Sequence, residues 1–286
     1  KVFTNIDTQV DSDIWGISLE LKQQLTDILE LTAIGAFESL DRVAPFNEGS
    51  PFRASDTLLQ DDLEQTTFEL RVGGSPIEGV NFTTGFFYLD DTGNFDNEII
   101  AIDGLNSILI QDNLQKRESW AVFGQADWRF AEKWTVTGGL RFTDEKASLV
   151  GTTFDPDPFG ATITPFIFDF PIEFDNRFSD DNISGRLSLS YAFANAGNVY
   201  VAVSRGFKSG GFDGSGLFTE EEALPFDSEE LLAIEAGLKT VFDDGKININ
   251  LSTFYYDFSD LQATTSVRFT PTGTPTNVRT NVADAT

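Results

Sequence analysis

The sequence predicts an all-β fold, part of an antiparallel transmembrane β-barrel, and three observations predict it. Apolar residues recur at every second position in segment after segment, as strands with one apolar face require. The connections between these segments alternate between short and long, as in an outer-membrane barrel and not in a soluble sandwich. The hairpin arms Lys116–Phe130 and Trp134–Val150 exceed the roughly five or six residues usual in soluble sheets.

Taken in order, Trp15, Ile17, Leu19 and Leu21 alternate with Gly16, Ser18, Glu20 and Lys22. Phe68, Leu70 and Val72 alternate with Thr67, Glu69 and Arg71. Trp120, Val122, Gly124, Ala126, Trp128 and Phe130 face one way, with Gln125, Asp127 and Arg129 facing the other. Trp134, Val136, Gly138, Leu140 and Phe142 repeat the pattern against Thr135, Thr137, Arg141 and Thr143. Ile183, Leu187, Leu189, Tyr191 and Phe193 oppose Ser184, Arg186, Ser188 and Ser190, and Ile247, Ile249, Leu251, Thr253 and Tyr255 oppose Asn248, Asn250 and Ser252. A helix would bring Arg and Asp into the middle of these apolar faces, so strands are expected.

Short connections fall near Gln23–Asp27, Gly74–Glu78, Ala131–Lys133, Asn195–Asn198 and Asp243–Lys246, and they carry hairpin-turn residues. Long connections are expected over Ser39–Asp62, Asp91–Gln115, Val150–Asp180, Phe207–Asp227 and Ser259–Asn277, all rich in Pro, Gly, Asp and Asn. This makes about ten strands and the start of an eleventh. Trp15, Trp120, Trp128, Trp134 and Phe130 are expected towards strand ends, where an interfacial girdle places aromatic rings.

Composition agrees with a barrel. Hydrophobic residues make up 40% of the 286 and the mean hydropathy is −0.15. No segment reaches the ~18 uninterrupted apolar residues of a spanning helix. A spanning strand needs only about ten residues, half of them apolar, so low hydropathy is compatible with a membrane. A net charge of −27 disfavours nucleic acid, which requires clustered Lys and Arg. Cys and His are both absent, which removes disulfides, thiolate chemistry and the commonest general base and metal ligand. No carboxylate pair or Ser–Lys arrangement stands at a meaningful spacing, so no enzyme, no catalytic residue and no cofactor is expected. Both ends read as cuts through a longer protein, since no signal segment opens the chain and no turn closes it.

Four features invite closer reading. The Gly-rich run Lys208–Gly216 lacks the helix a phosphate cradle needs and is followed by Glu220, Glu221 and Glu222, so it reads as a flexible loop base. The acidic groups Asp90, Asp91, Asn94, Asp96 and Glu98, and Asp155, Asp157, Asp180 and Asp181, read as solvated loops, with no metal site expected. Arg71, Arg129, Arg141 and Arg186 are expected to face a wet interior. The connection Val150–Asp180 is unusually aromatic for an exposed loop, and Phe154, Phe159, Phe166 and Phe168 are the candidate ligand-binding residues. The simpler reading has Phe166, Phe168 and Phe170 extending a strand above the membrane and packing on neighbouring loops.

Particular strings resemble a family. The segment Tyr200-Val201-Ala202-Val203-Ser204-Arg205-Gly206-Phe207-Lys208-Ser209-Gly210-Gly211-Phe212 is similar to a strand-to-loop segment in the barrels of TonB-dependent receptors. Ala121–Gln125 with Trp134–Thr143, Glu235–Lys239 with Phe254–Gln262, and Phe68–Arg71 resemble further pieces of those barrels, in family order. The likeness runs from about Leu63 to the C-terminus and more faintly before it.

The resemblance implies an internal portion of a 22-stranded barrel. It also implies a plug domain, a TonB-binding segment and terminal barrel strands, none of which this sequence shows. The function implied is outer-membrane import of a scarce nutrient such as an iron–siderophore, in a Gram-negative bacterium. Its partners would be outer-membrane lipid, the TonB complex through the missing plug region, and a small-molecule metal chelate. A passive porin is the alternative, followed by a soluble secreted β-sandwich binding module. The fragment alone is expected not to transport, and to aggregate through its two unpaired sheet edges.

Overall fold

The computed structural model describes residues 7–47, 56–194, 197–214, 216–242, 245–268, 275–282, 284 and 285. Its strands are β1 (Asp11–Thr26), β2 (Leu29–Phe46), β3 (Asp56–Ile77), β4 (Val80–Ala101), β5 (Ser107–Ala131), β6 (Trp134–Phe154), β7 (Ile172–Ala194), β8 (Gly197–Lys208), β9 (Glu229–Phe242), β10 (Ile247–Ser259), β11 (Gln262–Arg268) and β12 (Pro275–Asn281). One short helix, α1 (Ile102–Leu105), joins β4 to β5. The first ten strands form one sheet in strict sequence order, every neighbour antiparallel, and β11 and β12 form a separate hairpin. No helix among the described residues is long and apolar enough to cross a membrane.

The register lines up apolar side chains across the sheet. Leu21, Ala33, Leu70, Phe86, Val122, Phe142 and Ile183 are successive cross-strand partners from β1 to β7. One residue further along each strand, and so on the opposite face, lies Lys22, Thr32, Arg71, Gly85, Phe123, Arg141 and Ser184. Leu21, Val122 and Ile183 are exposed in mid-strand, and among the described residues no second sheet covers their face. A dry centre between two sheets, which a sandwich requires, is not present among the described residues.

Two aromatic levels bound this apolar band. At the short-turn end, Trp128, Phe130, Trp134 and Tyr191 follow one another with ring centroids 5.6, 6.5 and 4.7 Å apart. At the other level Trp120 packs on Phe142 at 5.5 Å and Trp15 on Phe37 at 5.1 Å. Trp120 and Trp128 are eight residues apart on one strand face. At ~3.4 Å per residue and a tilt of roughly 40°, that separation is about 20 Å along the membrane normal. Rings at both interfaces suit the amphipathic level of the headgroups.

The structure corrects the expected loop boundaries. Most of Ser39–Asp62 and Asp91–Gln115 is strand: β2 continues to Phe46, β3 starts at Asp56, β4 continues to Ala101 and β5 starts at Ser107. Trp120 accordingly lies midway along β5 and not at its end. Strands β3 to β7 run 22, 22, 25, 21 and 23 residues, about twice the span of the hydrocarbon. Outside the lipid both faces of the wall meet water, so ladder hydrogen bonds persist while the apolar alternation that marks a strand disappears.

The short connections stand where expected. Residues 48–55 and 269–274, and the tips 195–196 and 243–244 of two expected turns, lie outside the described residues. The expected loop Ser259–Asn277 holds β11 and the start of β12, and the hairpin runs on to Asn281. Beyond that hairpin, Ala285 bridges Phe258 of β10 through hydrogen bonds of 2.7 and 3.0 Å, the beginning of an eleventh rung beside β10.

Candidate functional site

On the long-loop side, three connections meet on the lumen-facing surface of β5, β6 and β7. Leu149 and Phe174 belong to the strand face opposite Phe142 and Ile183, and they are buried together with Ile172. What buries them is the β8–β9 connection, residues 209–228, through Phe212, Leu217 and Ala223. Leu149, Leu217 and Ala223 are each 0% exposed, so this is a packed core outside the membrane.

Side-chain amides from the wall hold the connection down. Gln111 Nε2 donates to the Leu217 carbonyl at 3.2 Å, Gln115 Nε2 to Phe212 at 3.3 Å, and Asn176 Nδ2 to Ala223 at 2.9 Å. Within it, Glu222 Oε2 accepts the backbone N–H groups of Phe218 and Thr219 at 2.6 and 2.8 Å. Gly211, at φ 148°, pairs with Phe226 through hydrogen bonds of 3.0 and 2.9 Å. The described residues of the Gly-rich run are thus anchored to the wall through Phe212 and paired with Phe226 through Gly211. The β11–β12 hairpin leans on the same element: Gln262 Nε2 donates to Ser209 and Asp227 carbonyls at 2.9 and 3.0 Å, and Arg279 lies 3.6 Å from Asp213 and 5.7 Å above the Phe226 ring.

The β6–β7 connection forms the rim. Asp155 organises it, accepting Thr162 Oγ1 and Asp157 N at 2.7 Å each and a hydroxyl from Ser107. Burial pushes the Asp155 carboxyl up, but hydrogen bonds from Ser107, Thr164 and Thr162 outweigh it and hold the group below its ordinary value. Asp157 Oδ1 in turn accepts Ala161 N and Thr162 N at 3.0 and 3.1 Å.

The four candidate phenylalanines are not brought into one cluster. Phe168 stacks on Phe170 at 5.2 Å and on Phe218 at 5.3 Å, joining the two connections. Phe166 is 75% exposed and Phe159 is 50% exposed, both free for contact. Phe154 ends β6 opposite Ile110, on the strand face that carries Phe142 lower down, away from the Phe168 stack. Phe166, Phe168 and Phe170 do not extend a strand: Thr164–Phe166 is a single 3-10 turn and β7 starts at Ile172. Phe168 and Phe170 do pack on a neighbouring connection. Phe218, Phe226 and Arg279 were missed in the sequence, although Phe212, Leu217, Phe218 and Phe226 crowd one nominal loop and could have signalled a buried contact.

The first acidic string lies in a strand and not in a loop: Asp90, Asn94, Asp96 and Glu98 share one face of β4, where Asp96 lies against Asp112 of β5. Asp90 and Asp91 are adjacent in β4, and Asp180 and Asp181 in β7, so each pair is split between opposite faces. Among the described residues no group of three or more acidic side chains is placed to hold a metal ion. Lower on the lumen face, Arg141 lies 5.3 Å from the Phe87 ring and 5.7 Å from the Phe123 ring, and Arg71 Nε is 3.1 Å from Glu69. Tyr200 donates to Glu235 under Lys239, whose ammonium is 5.5 Å from the ring. The interior wall is polar and aromatic, opposite to the lipid face.

Known proteins share this fold. The family model "TonB dependent receptor-like, beta-barrel" matches residues 2–286. The pesticin receptor of Yersinia enterocolitica is 26% identical over 172 residues, which are 59% of this chain and 22% of that receptor. The ferric yersiniabactin uptake receptor FyuA from Yersinia pestis superposes with a TM-score of 0.74 at 18% identity, over 96% of this chain and 38% of FyuA. The ferric-catecholate import receptor Fiu from E. coli K12, in its closed form, gives 0.63 at 12% identity, over 94% of this chain and 43% of Fiu. The chain thus spans about a fifth of its curated relatives and about two fifths of these structures. By fold and by sequence the chain belongs to the TonB-dependent receptor-like β-barrel family, outer-membrane proteins of Gram-negative bacteria.

Proposed function

We propose that this chain is part of the barrel of a receptor that imports a scarce nutrient such as an iron–siderophore, driven by TonB. The observation that supports the reading is the mouth: the β8–β9 connection packs on the lumen-facing wall, Phe168 stacks on Phe218, and Phe159 and Phe166 of the β6–β7 connection are exposed. Exposed aromatic rings held on a rigid base suit capture of a bulky, partly aromatic chelate. The relatives named for ferric yersiniabactin and ferric catecholate uptake support the same cargo class. In this reading the ten strands are part of a 22-stranded barrel whose plug and remaining strands lie elsewhere in the protein, and Phe154, on the outward strand face, is outside the site.

Radioactive iron–siderophore uptake by cells carrying the full-length protein as their sole receptor tests it. Uptake that needs TonB and falls on Phe166→Ser is expected. Equal uptake without TonB would point to a passive pore instead.

A further inference from the structure

The β8–β9 connection covers a surface that does not match it. It lies over two adjacent rows of the lumen-facing wall, Gln111–Thr153–Ile172 and Asn113–Gly151–Phe174. Ile172 and Phe174 pack with its Leu217, and Gln111 donates to the Leu217 carbonyl. Asn113 is 1% exposed and Thr153 0%. Neither amide atom of Asn113 nor the Thr153 hydroxyl has a hydrogen-bond partner among the described residues. The two side chains are diagonal neighbours across β5 and β6, close enough for one molecule to meet both. Beside them Phe174 closes the row, and a Cβ on Gly151 would come 3.0 Å from its ring. An apolar residue at position 113 would suit that ring better than an amide does.

Buried polar groups are nearly always paired, and leaving one unpaired costs more than a made bond returns. Gln111, Gln115 and Asn176 bond the connection to the wall, while Asn113 Nδ2, Asn113 Oδ1 and Thr153 Oγ1 go without. Closure therefore rests on apolar packing around Leu217 and on the Phe168–Phe218 stack. The base of the connection is tied differently. Gly211 pairs with Phe226, Gly210 N donates to Ser228 Oγ at 3.1 Å, and Gln262 Nε2 bridges the Ser209 and Asp227 carbonyls. Ser209 and Ser228 donate to Glu145 and Asp180, which fixes this base on the wall. A base held there and a tip held mainly by packing make a hinge.

We propose that the β8–β9 connection is a hinged cover, and that Gln111, Asn113 and Thr153 form a second ligand-contact surface beneath it. When the cover lifts, Gln111 leaves the Leu217 carbonyl, and the three side chains meet the cargo. No charged side chain stands in the two rows, so the groups that fit are uncharged donors and acceptors, amides or hydroxyls. The contact surface rests on the receptor reading for its ligand; the hinge does not.

Amide hydrogen exchange on the full-length protein in detergent tests the hinge with no ligand present. N113L keeps the branched outline of the side chain and T153V its volume, and each removes unpaired polar atoms. Both are expected to slow exchange at Leu217–Ala223 at least roughly fivefold, with β5 amides at the Trp120 level unchanged. Exchange as fast as in the unaltered protein, or faster, in both variants overturns the proposal, because those polar atoms would then be satisfied in the closed state. If N113L fails to fold, T153V decides. Uptake of radioactive iron as a neutral ferric trihydroxamate, by cells with this protein as sole receptor, tests the contact surface. It is expected to fall about tenfold in N113L. Unchanged uptake in that variant overturns the contact surface, and no uptake of this probe by the unaltered protein overturns the ligand class. Failure to take up any iron chelate would remove the receptor reading itself, and the exchange result is independent of it.

Discussion

Phe218 stacks on Phe168 with ring centroids 5.3 Å apart and planes 27° from parallel, linking two connections that leave the barrel on either side of β7 and β8. The contact ties the rim to the element that covers Leu149 and Phe174, so the mouth behaves as one packed unit.

Removing either ring loosens that unit. A stacked pair contributes about 1 kcal/mol beyond its buried area. Phe218→Ala is therefore expected to raise amide hydrogen exchange at Leu217–Ala223 by at least roughly fivefold, while β5 amides at the Trp120 level stay protected. Unchanged exchange would show that Gln111, Gln115 and Asn176 hold the element without the stack.

Acid releases the rim. The folded Asp155 carboxyl titrates below its ordinary value of 3.8, so its contribution to rim stability is present above that value. It is lost as pH falls through the lower folded value. Limited proteolysis within residues 155–171 is expected to rise below about pH 4 in the unaltered protein. Asp155→Asn should show high cleavage already at neutral pH and little further change on acidification.

The two faces of the β5–β6 wall respond unequally to charge. Leu140 lies opposite Gly124, midway between Trp120 and Trp128 on the apolar face. Leu140→Arg is expected to cost about 2–4 kcal/mol in denaturant unfolding from lipid. Gln125→Arg, one residue from Gly124 on the wet face, should cost far less. Equal costs would place lipid on both faces or on neither.

Tyr200 lies across Gly237, where an added Cβ would come within 2.5 Å of the ring. Gly237→Ala forces the ring aside and breaks its hydrogen bond to Glu235, at an expected cost of about 1–3 kcal/mol. Tyr200→Phe loses the hydrogen bond but introduces no clash, so it should cost less than Gly237→Ala in the same unfolding assay.

Legibility in the sequence followed the solvent. Between the girdles, water lies on one face and hydrocarbon on the other, so Val122 against Phe123 and Leu140 against Arg141 declare their sides in single letters. Above the girdle that contrast ends. Asp91–Ala101 and Ser107–Gln115 read as loop although they pair residue for residue, because a strand wet on both faces has no alternation. The site was legible only in part: the aromatic excess of Val150–Asp180 marked the rim, while the element of residues 209–228 hid behind its glycines.

By itself the amino-acid sequence determined which stretches cross the membrane, which side chains meet lipid and which turns are tight, since a period of two is a local property of the chain. Only the tertiary structure decided that Gln111 holds the carbonyl of Leu217, 106 residues away, that Phe168 meets Phe218, and that Phe154 looks elsewhere. Such meetings depend on cumulative register across several strands and on how far each rises above the lipid. Neither quantity is written in any single segment.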